Sequence, residues 1–125
     1  MTGPEAVILD EAVLDELRAS VQGDHAFVVE LIEAYVVDGA GHIEAMASAV
    51  DASDAEALVR PAHTLKSSSA TLGAAHVATI ARELEMRGRS GTLGPAVGDL
   101  LGVVRGQWPA TIAALRAWAV RESAG

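Results

Sequence analysis

The chain has 125 residues, of which 50% are hydrophobic but only 3% aromatic, with a net charge of −8 and no cysteine. This composition suits one globular domain with an aliphatic helical core and argues against a β-sandwich or barrel; the missing cysteines exclude disulfides, thiolate catalysis, iron–sulfur clusters and Cys-based zinc sites. Residues 1–59 hold 13 acids and one base and residues 60–89 hold five bases and two acids, a basic spot on an acidic body that is too small for nucleic acid and suits an anionic group or an acidic partner face.

Asp10 is placed to cap a short helix over about 10–20 that carries Val13, Leu14 and Leu17, and Gly23 ends it. From Asp24, the positions Val28, Leu31, Ile32, Tyr35, Gly39, Ile43, Met46 and Val50 recur at three and four residues, predicting one long helix to about residue 50. Ser53 or Asp54 caps a third helix carrying Leu58, Ala62, Leu65, Ser69 and Leu72, terminated by Gly73. Val77, Ile80 and Leu84 mark a fourth, residues 88–95 read as a turn cluster, and Pro95 suits the first turn of a last helix running from Val97 to Trp118. In that helix Gly98, Gly102 and Gly106 recur at spacing four and read as a close-packing stripe, while Pro109 is expected to kink or split the helix near Gly106. The chain is therefore expected to be all-α, an antiparallel four-helix bundle with a short additional N-terminal helix, as a single domain over 1–125 with its core over about 24–120. No apolar run approaches the roughly 18 residues a membrane span needs, and the N-terminus lacks the basic and apolar regions of a signal peptide, so a cytoplasmic location is expected. The initial Met1 and the polar residues 121–125 suit a freestanding protein.

On a helical wheel of the third helix, Leu58, Ala62, Leu65, Ser69 and Leu72 fill one arc and His63 points the opposite way, ringed by Glu56, Val59, Ser67 and Ala70 and flanked by Arg60 and Lys66. An outward histidine is most often a plain surface residue; here Lys66, one turn on, places an ammonium within reach of a charged group on the imidazole, and the small neighbours leave room for a partner. Pro61 has no evident local reason to stand inside a helix.

The run Ala62-His63-Thr64-Leu65-Lys66-Ser67-Ser68-Ser69-Ala70-Thr71-Leu72-Gly73-Ala74, followed by Leu84-Glu85, resembles the signature of histidine-containing phosphotransfer (HPt) domains. The resemblance extends over nearly the whole chain, from the Leu9-Asp10-Glu11 start to the last helix. It implies that His63 is the phosphorylated residue, that Lys66 assists the phosphoryl group, and that a partner docks across Val59, Arg60, Ser67, Ala70, Arg82 and Arg89. Ser67 departs from the glycine that often follows the lysine in the family, adding a hydroxymethyl to the contact face.

The chemistry is consistent with that role. Free imidazole titrates near about 6.5, so at neutral pH histidine supplies an uncharged nitrogen nucleophile whose phosphoramidate is a good phosphoryl donor. No Walker loop, kinase glycine loop or acidic metal triad accompanies His63, so the chain reads as a stoichiometric carrier without intrinsic cofactor that cannot use ATP itself. Mg²⁺ and the acceptor aspartate are expected from a response-regulator receiver domain, with a sensor (hybrid) histidine kinase as the other partner and a monomeric state. The alternative is a non-phosphorylated helical docking module on the same scaffold. If the third and fourth helices reverse around residues 73–75, Glu85 is level with His63 and able to accept its Nδ1 proton; it is equally placed to be solvated or paired with Arg82 or Arg89.

His25, His42 and His76 lack helical metal-site spacing and read as structural. The early carboxylates Glu30, Glu33, Asp38 and Glu44 lack the Glu-x-x-His pattern of a di-metal bundle, and Trp108 and Trp118 read as anchors of the last helix.

Overall fold

The computed structural model describes residues 7–123; the chain ends Met1 and Gly125, on which the expectation of a freestanding protein rests, lie outside them. Five helices follow in order: α1 (Glu11–Ser20), α2 (His25–Asp51), α3 (Ala55–Thr71), α4 (Ala75–Ser90) and α5 (Ala96–Ser123). Three aspartates start the first three. The carboxylate of Asp10 accepts from the Ala12 amide at 3.2 Å, Asp24 from Phe27 at 3.1 Å and Asp54 from Ala57 at 3.1 Å, each cap stabilising its helix by about 1 kcal/mol.

The same three helices close on a residue in the left-handed region: Gln22 (φ 59°), Ser53 (φ 52°) and Gly73 (φ 79°). In each case the next amide reaches back to the last turn, Gly23 to Arg18 O at 2.8 Å, Asp54 to Ala49 O at 2.9 Å and Ala74 to Ser69 O at 2.8 Å, which is the Schellman arrangement. Asp54 thus closes α2 with its backbone and opens α3 with its side chain. Such short turns force successive helices to lie antiparallel as neighbours.

α2, α3, α4 and α5 form a closed ring in which each helix packs on two others, and α1 lies against α2 and α3. The Asp10 amide donates to Gly73 O at 2.7 Å, so α1 begins on the α3–α4 turn. Gly73 has to be glycine twice over, for its positive φ and because a Cβ there would stand 2.5 Å from the Asp10 carbonyl oxygen. Leu14 is fully buried, Trp118 Nε1 donates to Asp15 at 3.2 Å, and the Arg18 guanidinium lies 5.2 Å from the Trp118 ring centre. These contacts tie α1 to the C-terminal part of α5.

The core is aliphatic, with Ile32, Met46, Leu58, Leu65, Leu84 and Leu115 fully buried, and Trp118 is its largest side chain. Trp108 is half-buried with its ring 5.1 Å from that of Tyr35. Its outer edge occupies the space a Cβ on Gly39 would need, so α2 carries glycine where α5 inserts a ring.

Three expectations differ from the structure. Gly88 to Ser90 belong to α4, which ends at Gly91 with φ 78°. The glycines at 98, 102 and 106 are exposed with nothing against them among the described residues, because they lie on the side of α5 away from Val97, Leu101 and Val104. The split expected near Pro109 does not occur, since α5 runs unbroken through it, as α3 does through the buried Pro61.

Gly39→Ala is expected to displace Trp108 and destabilise the fold by about 1–3 kcal/mol, the usual range for overpacking. Urea unfolding followed by tryptophan fluorescence will show a lower midpoint and an altered native-state emission.

Candidate functional site

His63 stands at the middle of α3 on the face away from the buried Leu58, Ala62, Leu65 and Ser69, and its side chain is 51% exposed. The tight reversal at Gly73 sets α4 beside α3 and brings Glu85 level with it. His63 Nδ1 lies 2.9 Å from Glu85 Oε2. A carboxylate can only accept, so Nδ1 is the protonated nitrogen of the neutral ring and Nε2 keeps its lone pair.

The Glu85 carboxylate has further partners. Lys66 Nζ lies 2.8 Å from Oε1. Arg89, one turn on along α4, donates from Nε at 2.9 Å and from Nη2 at 2.7 Å to Oε2. The Glu85 side chain is only 7% exposed. The Lys66 hydrogen bond, with further bonds from Arg89 and His63, outweighs the opposing effect of burial and holds the Glu85 carboxyl down at about 2. The site is therefore a half-exposed imidazole, with a carboxylate ionised at neutral pH under one nitrogen and two cations on that carboxylate.

The other residues singled out in the sequence lie around this centre. Val59 is half-buried and Arg60 exposed, both lining an open cleft between α3 and α4 with Glu56, Gly88 and Arg89. Ser67 and Ala70 are exposed on α3. Arg82 is exposed and forms no ion pair among the described residues, so of the two arginines at helical spacing from Glu85 only Arg89 engages it. On the α2 side of α3 a shallow groove is lined by Leu31, Ala34, Tyr35, Asp38, His42 and Thr64.

The sequence reading missed the contact between Tyr35 and Ser69, whose hydroxyls are 2.6 Å apart in the core; burial pushes the Tyr35 phenol up to about 12. The available signal was a polar residue on the buried arc of each of two adjacent helices. His25 donates from Nε2 to the Ala119 carbonyl at 2.8 Å and packs on Trp118, a structural arrangement. No cluster of histidine and carboxylate side chains suited to a metal ion occurs among the described residues, and no helix among them is long and apolar enough to cross a membrane.

Glu85 titrates at about 2 in the folded chain against an ordinary value of 4.5. The unfolded chain binds more protons in that window, so folding stability rises with pH across it. The stability advantage of wild type over Glu85→Gln is expected to be complete above pH 4.5 and to vanish as the pH falls towards 2, read from urea midpoints of the two proteins across that range.

The sequence matches the family model of the Hpt domain over residues 30–118, which includes all of α3 and α4. No curated protein matches it significantly by sequence. Among solved structures, the chain is similar to the crystal structure of histidine-containing phosphotransfer protein B (HptB) from Pseudomonas aeruginosa PAO1, with a TM-score of 0.81 and 26% sequence identity over 94% of this chain and 98% of that one. Helical bundle, exposed histidine and family model agree: the chain belongs to the Hpt domain family and is a histidine phosphotransfer protein of a phosphorelay, a phosphocarrier and not a classical enzyme.

Proposed function

We propose that His63 is the phosphorylated residue of a cytoplasmic, monomeric carrier that takes a phosphoryl group from a receiver-domain aspartate or a sensor (hybrid) histidine kinase and passes it to another receiver. The observation that carries this reading is the 2.9 Å contact between His63 Nδ1 and Glu85. It supports the tautomer in which Nε2, on the exposed ring, is free to act as the nucleophile.

In the forward step the Nε2 lone pair attacks the phosphorus of an aspartyl phosphate. The N–P bond forms, the P–O bond to the aspartate breaks, and its electron pair leaves with the carboxylate. The ring gains a formal positive charge while Nδ1 keeps its proton, and the Glu85 carboxylate stabilises that charge where it develops. In the return step a receiver carboxylate attacks the same phosphorus and the N–P electrons go back to Nε2. Lys66, at i+3 from His63, neutralises phosphoryl oxygens.

Mg²⁺ is proposed to arrive with the receiver. Glu85, the carboxylate that contacts His63, already accepts from a lysine, an arginine and the imidazole, so it offers no free oxygen pair to a cation of octahedral demand. Val59, Arg60, Ser67 and Ala70 surround His63 with small or basic side chains that suit an acidic receiver pocket, and neither nucleic acid nor a membrane enters this reading.

The test incubates wild type and His63→Gln with phosphorylated receiver domains and Mg²⁺ and follows acid-labile, alkali-stable phosphate on this chain. Label is expected on wild type alone and is chased to a second receiver. Equal receiver binding by both proteins without label overturns the reading in favour of a docking module. Glu85→Ala is expected to lower the transfer rate about 10- to 100-fold, the scale of one lost charge-assisted hydrogen bond; an unchanged rate removes Glu85 from the mechanism.

A further inference from the structure

Around Glu85 the charges do not balance. One carboxylate contacts two permanent cations, Lys66 on Oε1 and Arg89 on Oε2, and a neutral imidazole that shares Oε2. Either cation alone would satisfy a single buried carboxylate, so the free protein holds one positive charge in surplus beside the nucleophile. The two cations are not equivalent. Arg89 lies on the same helix as Glu85 at i+4 and grips one oxygen with two N–H groups of a rigid fork. Lys66 reaches across from α3 with a flexible stem and a single contact, and it is also the neighbour of His63 one turn away.

A phosphoryl group on a side chain brings about −1.5 to −2 charges at neutral pH. A lysine that moves to it must leave Glu85, and a buried carboxylate stripped of its only cation would be strongly disfavoured. With Arg89 in place the carboxylate keeps two charge-assisted hydrogen bonds throughout.

Resting on the assignment of His63 as the phosphorylated residue, we propose that Lys66 is an exchangeable counter-ion, held on Glu85 Oε1 in the free protein and transferred to the phosphoryl oxygens on His63, and that Arg89 is the positioning residue that permits the exchange by remaining on Glu85 Oε2. Lys66 moves without any change in the backbone, and the His63–Glu85 contact survives because its oxygen is held by Arg89. Arg82, on the other side of Glu85 along α4 and unpaired among the described residues, has no part in it.

The experiment uses phosphoramidate as a partner-free donor: Nε2 attacks its phosphorus, the N–P bond to the imidazole forms, and ammonia leaves with the electron pair of the bond that breaks. Wild type, Arg89→Gln, Arg89→Lys and His63→Gln are compared by the rate of phosphohistidine formation and by ¹⁵N NMR of the Lys66 ammonium and the His63 ring. In wild type the Lys66 resonance is expected to shift on phosphorylation. Arg89→Gln is expected to form phosphohistidine about tenfold more slowly, the lower end for a lost charged hydrogen bond, with Arg89→Lys recovering most of that rate. The unphosphorylated Arg89→Gln protein is expected to keep the Nδ1–H tautomer of His63, which separates lost exchange from a collapsed site. A Lys66 signal indifferent to phosphorylation, or a wild-type rate in Arg89→Gln, overturns the exchange while leaving the carrier assignment standing. Equal labelling of wild type and His63→Gln, or none of either, overturns the carrier assignment itself.

Discussion

An ionised carboxylate placed at a helix–helix seam has to be surrounded by donors, and at Glu85 this requirement organises the site. Its partners come from both helices of the hairpin, His63 and Lys66 from α3 and Arg89 from α4. A shift of either helix by one residue would turn at least one of them away, since successive side chains on a helix point about 100° apart. The ion cluster therefore reports the register of the hairpin, and the hairpin register selects which imidazole nitrogen is free.

That register is set at the far end of the hairpin, by the three residues between Thr71 and Ala75. The left-handed Gly73 turns the chain, the Ala74 amide closes α3, and the Asp10 amide holds the Gly73 carbonyl from outside. α1 thus adds little to the four-helix ring but secures the turn from which the alignment of His63 and Glu85 follows. The aliphatic seam of Leu58, Leu65, Ala81 and Leu84 beneath them excludes water from one side of the carboxylate, which makes its bonds to Lys66 and Arg89 stronger than surface pairs of the same length.

How far such an arrangement is legible depends on whether its cause is local. The caps at Asp10, Asp24 and Asp54 and the end of α3 at Gly73 follow from residue chemistry within one turn, whereas α1 closes on Gln22, one residue before the glycine expected to end it. The outward direction of His63 follows from the wheel of a single helix. The state of Glu85 does not: Arg82 at i−3 and Arg89 at i+4 are equivalent on a wheel of α4, and only the packing of α3, which delivers Lys66 and His63, decides that the carboxylate is buried and which arginine it takes. The α5 glycines show the converse. Their spacing suggested a packed seam, yet a wheel anchored on Val97 and Leu101 already turns them to solvent, so that information was present and the period alone was not sufficient to use it. Contacts between distant helices, such as Tyr35 with Ser69 and His25 with the Ala119 carbonyl, have no local signature at all.

The bare stretch of α5 has a dynamic consequence. Gly98, Gly102 and Gly106 each lower helix stability by about 1 kcal/mol relative to alanine with no neighbour to compensate, and Pro109 removes a helix hydrogen bond just beyond them. The first half of α5 is thereby expected to open more readily than a helix of the same packing without these residues, its amide hydrogens exchanging through local detachment. The α3–α4 hairpin carries one such residue at its centre, Pro61, but it is buried, with alanines and leucines along the seam and a turn held from outside by α1. The weakened stretch thus lies in a helix that contributes no side chain to the His63 cluster, so its local opening leaves the partners of Glu85 in place.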